Sequence, residues 1–273
     1  MKKLAVVGTL VVLSMPVSAH DMFLVVEDHD LPAASQVAVA LYNGTFDKSE
    51  NAIDRERMDD VSLVNGQGDV SSPVAAQWRD EDNISVLTFQ TGDPGTYVLG
   101  VSTKPNMIEL SAADFNEYLA HDGVLDVLEA RQQEGILDRP ANERYAKHVK
   151  TILQIGGAAT ETYSTFLGYR TEIVPQANPA DLKPGDSLRV LVMADGSPAA
   201  RQLVYASYAG YHAHAEAGGH QEATQTRTDD NGVAEIQITR SGRWYIRLIR
   251  MLPATEEGVD YESNWATLTF EVE

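Results

Sequence analysis

The 273-residue chain contains no cysteine. This absence excludes disulfide bonds, thiol nucleophiles and thiolate metal ligands. A metal site in this protein would therefore use imidazole, carboxylate, carbonyl or amine groups, which disfavours a structural site of the zinc-finger kind. Cu(II), Ni(II), Co(II) and Zn(II) all accept such ligands. A chain of this length also buries enough surface to fold without disulfide bonds.

Basic residues are scarce. The chain has 21 lysines and arginines against 40 aspartates and glutamates, and its formal net charge is −19. Such a chain repels nucleic acid and anionic membrane surfaces, so we expect neither as a partner. The acidic surface attracts cations weakly, although solubility alone also explains it.

Long apolar runs are absent after the N-terminus. The single run at residues 4–13 follows Lys2 and Lys3 and precedes a small-residue site that ends at Ala19. This pattern predicts a cleaved signal peptide over residues 1–19, a periplasmic location and no transmembrane segment. Cleavage removes two lysines and no acid, which takes the net charge from −19 to −21. It also makes His20 the mature N-terminus.

Motifs of the common catalytic classes are missing as well. The sequence has no Gly-x-Ser-x-Gly, no His-Glu-x-x-His, no phosphate-binding glycine loop and no dinucleotide fingerprint. These absences favour a binding protein over an enzyme, although they leave catalysis open.

Histidines cluster between two strand-like segments. Residues 208–220 contain His212, His214 and His220, three of the seven histidines of the chain. A short histidine-rich tract indicates metal binding. A polar loop without a ligand is the alternative interpretation, because loops vary freely in sequence.

The predicted mature N-terminus adds a second candidate ligand. The α-amine and the imidazole Nδ1 of an N-terminal histidine can chelate one metal ion together, and another imidazole completes a T-shaped histidine brace suited to copper. The amine loses its proton near pH 8, so a metal ion can displace that proton at neutral pH. We therefore predict that His20 and the loop histidines bind one divalent metal ion. The alternative is that His20 merely follows the cleavage site.

Short alternating apolar segments separated by turn residues predict a mainly β protein. We expect antiparallel β-sandwich modules of the immunoglobulin or transthyretin type at residues 20–108 and 158–273, joined by a helical segment at 109–157. One helix is predicted from Ser111 and a second from near Pro140. On such a helix, His148 is expected on the surface or at the boundary between surface and core. The histidine-rich loop, residues 208–223, connects two strands of the second module.

Several sequence blocks resemble a family of periplasmic proteins associated with nickel uptake, the NikM-like group. The blocks occur in order along nearly the whole mature chain: His20-Asp21-x-Phe23-Leu24, residues 144–147, residues 167–175, residues 182–186, Thr228-Asp229-x-x-Gly232, Gly242-x-Trp244 and residues 262–272. The resemblance implies sandwich modules with helices between them, a periplasmic location and a link to transition-metal uptake. It also implies a membrane metal transporter as a partner.

These observations lead to three hypotheses of function. The first is a periplasmic accessory protein that binds nickel, cobalt, copper or zinc through His20, His212, His214 and His220. The second is a carbohydrate- or protein-binding module without metal, in which Trp78, Trp244 and Trp265 matter more than the histidines. The third is a copper-dependent redox protein of the histidine-brace type.

Overall fold

The chain folds mainly into β-strands, as its alternating apolar residues predict. A computed structural model describes residues 20–211 and 224–273 of the protein. The strands in these ranges are β1 (Asp21–Val25), β2 (Asp30–Leu31), β3 (Gln36–Gly44), β4 (Met58–Val64), β5 (Val70–Ser71), β6 (Trp78–Glu81), β7 (Ile84–Gln90), β8 (Gly95–Thr103), β9 (Asn106–Leu110), β10 (Ala141–Ile155), β11 (Thr171–Pro175), β12 (Ser187–Ala194), β13 (Ser197–Pro198), β14 (Leu203–Tyr208), β15 (Thr224–Arg227), β16 (Val233–Gln237), β17 (Gly242–Pro253) and β18 (Tyr261–Val272).

A ten-stranded sheet runs through the whole molecule. Its main path follows the order β15-β14-β17-β18-β10-β8-β4-β5, and β2 and β9 pair with β10 beside this path. Most neighbours are antiparallel, but β10 pairs in parallel with both β18 and β2. Strands from both predicted modules therefore belong to one hydrogen-bonded sheet.

The first apolar core lies between this large sheet and a four-stranded sheet of order β1-β3-β7-β6. Strand β3 buries Val37, Val39 and Leu41, whose spacing of two residues directs all three side chains to one face. They pack against buried residues of β8 and β10, such as Leu99 and Leu153.

The second apolar core lies under the other half of the large sheet. A smaller sheet of β11, β12, β13 and β16 covers strands β14, β17 and β18 there. Strand β12 alternates buried Leu188, Val190 and Val192 with more exposed residues, as a half-buried strand requires. Trp244 of β17 is fully buried in this core.

Two helices, α1 (Ala112–His121) and α2 (Leu125–Glu134), cover a third apolar cluster beside β10 and β18. The Ser111 side chain accepts a hydrogen bond from the Asp114 amide, which caps the start of α1 as the sequence predicts. Gly135 adopts the left-handed conformation that ends α2. Among the described residues, no helix is both long and apolar enough to cross a bilayer.

The prediction of a second helix from Pro140 is wrong, because this segment forms the 15-residue strand β10. Tyr145, Val149 and Ile152 fit helical spacing, but a strand that is buried on both faces produces the same run of apolar residues. Lys147 and Lys150 of this strand are both buried. The mainly β fold class, with sandwich packing and a helical segment, is confirmed.

Candidate functional site

The candidate site surrounds His20, immediately before β1. The His20 side chain is 20% exposed, and its Nε2 lies 3.1 Å from Oε2 of Glu50. The His20 carbonyl accepts a hydrogen bond from Nζ of Lys147, which also donates to Oδ1 of Asn43 at 2.9 Å. Residues of β3, β10 and the loop after β3 thus fix both the backbone and the ring of His20.

Lys147 is buried and lies among aromatic rings. Its Nζ is 5.3 Å from the centroid of the Trp265 ring and 5.9 Å from that of Tyr145. Burial lowers the pKa of Lys147 to about 8, and the carboxylates of Asp21 and Asp122 oppose this shift. Lys147 therefore supplies a positive charge directly beneath the His20 carbonyl at neutral pH.

A series of ion pairs and hydrogen bonds extends from β1 to the end of α1. Oδ2 of Asp21 lies 3.5 Å from Nε of Arg247, whose Nη1 donates to the Asp122 carbonyl at 3.0 Å. The Asp122 carboxylate lies 2.8 Å from Nδ1 of His121, and this hydrogen bond raises the pKa of His121. Arg247 also stacks over the Tyr205 ring at 4.9 Å. These contacts connect strands β1, β14 and β17 to the helical segment.

A buried carboxylate completes the polar cluster. Glu143 is 2% exposed and accepts hydrogen bonds from the hydroxyls of Ser263 and Tyr118, the latter at 3.1 Å. Burial raises the pKa of Glu143 to about 7, although these hydrogen bonds favour its ionised form. The cluster thus holds an acid and an amine that both titrate close to neutral pH.

The other predicted metal ligands, His212, His214 and His220, lie outside the described residues. The segment that leads to them can be placed. Ala209, just after β14, packs against a small aromatic cluster of Phe23, Phe46 and Tyr245. Ala209 also donates its backbone N–H to the carbonyl of Arg243, whose side chain donates to the Val26 carbonyl, so this segment lies at the end of β1 that is away from His20.

Hydroxyl groups of β18 secure β1 on the large sheet. Thr267 and Thr269 donate hydrogen bonds to the carbonyls of Met22 and Leu24 at 2.8 and 2.7 Å. Within residues 20–211 and 224–273, no group of three histidine and acidic side chains is arranged to bind a metal ion. Of the four predicted metal ligands, His20 is therefore the one whose surroundings the structure describes.

Two further sequence predictions concern residues outside this cluster. His148 is 4% exposed, so the prediction of a surface or boundary position is wrong. Its Nδ1 bonds to Ser102 and its Nε2 to Asn264, at 2.8 and 3.0 Å, because β10 is a central strand. Trp244 and Trp265 are buried core residues, and only Trp78 is partly exposed, so no exposed tryptophan pair supports ligand stacking in the described chain.

No sequence pattern pointed to Glu50, Lys147, Glu143 or Arg247 as residues of the site. Residues 143 and 147 share one face in a helix as well as in a strand, so their spacing does not distinguish the two. The helix predicted from near Pro140 left both side chains at the surface, whereas strand β10 buries them. The β-branched residues Val149, Thr151 and Ile152 favour a strand, and they are the signal in the sequence that indicates β10.

No curated protein matches the chain. Solved structures with a similar course of the chain include a Salmonella alpha-2-macroglobulin mutant (11% identity, TM-score 0.26, 93% of this chain and 15% of that one) and the D0-D1 domain of intimin (12% identity, TM-score 0.22, 92% and 97%). The Escherichia coli adhesin FdeC is similar at 15% identity, with a TM-score of 0.22 over 93% of this chain and 63% of that one.

These likenesses are distant, and the chain spans about 15% of the length of the alpha-2-macroglobulin that it matches. The family comparison is more specific, because one family model matches residues 17–251, which include the candidate site. The chain belongs to the family described as a domain of unknown function, DUF4198.

Proposed function

We propose that this protein is a periplasmic transition-metal-binding accessory protein. Its mature form begins at His20, and the α-amine and Nδ1 of His20 chelate the metal ion. His212, His214 or His220 supplies further imidazole ligands. Nickel, cobalt, copper and zinc are the candidate ions, and the protein hands its ion to a membrane transporter of the nickel-uptake type.

The 3.1 Å contact of His20 Nε2 with the Glu50 carboxylate is the observation that carries this proposal. A carboxylate beside Nε2 favours the tautomer with its proton on Nε2, which leaves Nδ1 as the nitrogen with the lone pair. Nδ1 is the ring nitrogen adjacent to the backbone, so it can join the freed α-amine in one chelate ring. Metal-binding histidines commonly donate their other nitrogen to a carboxylate in this manner.

The charge balance of the chain also supports a cation near the His20 amine. The chain carries a large excess of acidic residues, which raises the local concentration of cations. Lys147 opposes this effect with its own positive charge, but its hydrogen bond from Nζ to the His20 carbonyl stabilises the backbone conformation at the chelating residue.

Calorimetry on the processed chain that begins at His20 tests the proposal directly. Ni²⁺, Co²⁺, Cu²⁺ and Zn²⁺ are titrated separately, and at least one is expected to bind with a Kd below about 0.1 mM, which corresponds to about −5.5 kcal/mol. The matched control retains Ala19, which blocks the α-amine and leaves every side chain in place. Equal affinity of the two proteins would exclude the chelate at the N-terminus.

The role of Glu50 is tested by a pair of substitutions. Glu50→Ala removes the acceptor of the Nε2 proton, and we expect metal affinity to fall about 10-fold or more, as for other outer partners of metal-bound histidines. Glu56→Ala removes an exposed carboxylate from the next short helix and is the control. An equal loss in both variants would mean that Glu50 acts only through the overall charge.

A further inference from the structure

A cavity of about 450 Å³ opens at the end of the molecule where β2, β10 and β18 meet. Ala159 and Ala180 provide the accessible apolar surface of the lining, and the neighbouring short helix Pro179–Asp181 borders the cavity. Carboxylates line the opening, namely those of Asp28, Asp30, Asp181 and Glu271. None of these residues belongs to the cluster around His20.

His29 distinguishes this cavity from an ordinary acidic surface. The residue lines the cavity and is only 4% exposed, yet neither of its ring nitrogens makes a hydrogen bond. Its backbone N–H donates to Oε2 of Glu271 at 3.0 Å, while Nδ1 stays 3.5 Å from that oxygen. Buried polar atoms in folded proteins nearly always have partners, so this ring indicates a missing one.

The charge states at this site suit a cationic ligand. Burial lowers the pKa of His29, although Glu271 opposes the shift, so the ring is neutral at neutral pH. The nearby His29 ring and the hydrogen bond from the His29 backbone N–H lower the pKa of Glu271, which is therefore ionised. Arg243 is a nearby positive charge that affects both groups, and Asp28 is a negative one. A neutral ring with one lone pair, beside ionised carboxylates, accepts hydrogen bonds and attracts positive charge.

An ammonium group fits this arrangement better than a metal ion does. A metal ion needs several ligand atoms at about 2 Å from one centre, and the described chain contains no such group of histidines and acids. An ammonium group donates three hydrogen bonds with lengths of about 2.9 Å, so its acceptors lie farther apart. The side chains of Ala159 and Ala180 give a short methylene chain an apolar surface to contact.

We propose that this cavity binds a small aliphatic amine, whose ammonium group is held by Glu271, Asp28 and the ring of His29. The bound ammonium supplies the hydrogen-bond donor that the lone-pair nitrogen of His29 lacks. The alkyl chain packs along Ala159 and Ala180. This site does not depend on the metal site at His20.

Calorimetry of the mature protein with butane-1,4-diamine tests this site. We expect saturable binding with a Kd below about 1 mM and an affinity at least tenfold lower for tetramethylammonium, which has no N–H donor. Glu271→Gln should weaken diamine binding at least tenfold. Glu235→Gln, which removes an exposed carboxylate outside the cavity, should leave it unchanged.

The ring signals of His29 in an NMR titration give a readout that does not depend on any variant. They should shift with the same Kd as the calorimetric binding. Absence of saturable binding, equal affinity for tetramethylammonium, equal weakening by Glu235→Gln, or unshifted His29 signals would each overturn the proposal.

Discussion

Several charged side chains of this protein are buried in its interior. Glu143, Lys147, Lys150, Glu172 and Arg247 are all less than one-tenth exposed. Each is compensated by specific partners, because a buried charge without a partner is strongly destabilising. The consequences can be measured for two of these charges.

Glu143 makes stability depend on pH. Its folded pKa of about 7 exceeds the usual 4.5, so the folded state binds this proton more tightly between those values. The contribution of Glu143 to the free energy of unfolding therefore falls as pH rises from 4.5 to 7, by about 3 kcal/mol. Glu143→Gln stays neutral and keeps an acceptor oxygen. Urea unfolding should show this variant gaining about 3 kcal/mol relative to the native protein across that range.

Glu109→Gln is the control for this prediction, since Glu109 is an exposed carboxylate on the adjacent strand β9. Its stability should follow the native pH curve closely. A Glu143→Gln curve that runs parallel to the native curve would show that Glu143 is ionised throughout.

Lys150 and Glu172 form a fully buried ion pair, with Nζ and Oε1 2.7 Å apart. Glu172 also accepts hydrogen bonds from the amides of residues 167–169, so the pair anchors that loop. Lys150→Met leaves the carboxylate uncompensated, and chemical denaturation should show a loss of about 3–5 kcal/mol. Arg227→Gln breaks the exposed pair with Asp126 and should cost less than about 1 kcal/mol. Similar losses would contradict the difference in burial.

At the scale of elements, loops approach strands so closely that only glycine fits. A Cβ at Gly100 of β8 would lie 2.3 Å from Cδ1 of Leu167 and 2.6 Å from the Tyr169 hydroxyl. Tyr169 in turn donates a hydrogen bond to Asp60 of β4 at 2.7 Å. The loop that Glu172 anchors therefore rests directly on the backbone of β8.

Gly100→Ala should destabilise the protein by about 1–3 kcal/mol, because the new methyl group displaces Leu167 and Tyr169. Thermal or urea unfolding measures the effect. Gly92→Ala is the matched control, since its new Cβ would meet only the Tyr97 hydroxyl, at an ordinary 3.4 Å. Equal stability of the two variants would show that the loop moves aside without cost.

The ten-stranded sheet joins the two sandwich cores at the scale of the whole molecule. Strand β10 contributes Leu153 to the first core and Ile152 to the second, so both cores share one strand. The parallel β10–β18 pairing runs from Glu143 to Thr151 and adds a continuous hydrogen-bonded connection. Separate unfolding of one sandwich would expose apolar surface of the other.

We therefore expect one cooperative unfolding transition. Incorporated 5-fluorotryptophan gives a separate resonance for Trp78, which packs on the first core, and for Trp244 in the second. The two resonances should report the same urea midpoint. A lower midpoint for Trp78 would show that the sandwiches unfold independently.

The sequence by itself determined most strands and the first helix. Val37, Val39 and Leu41 alternate with less buried residues because β3 is buried on one face. His20 also stands out from the sequence, because its candidate role depends on its position after the predicted signal peptide. Such features are local, so the local pattern reveals them.

Tertiary structure alone decided β10 and the surroundings of His20. A strand buried on both faces loses the alternation that marks a half-buried one, so residues 141–155 resemble a helix in sequence. Glu50 meets His20 through the pairing of β1 with β3, and Lys147 meets it through the packing of β1 on the large sheet. The cavity at His29 likewise brings together residues far apart in sequence, since its partner Glu271 is 242 residues away. Contacts of this kind depend on the packing of the whole sheet, which no local pattern encodes.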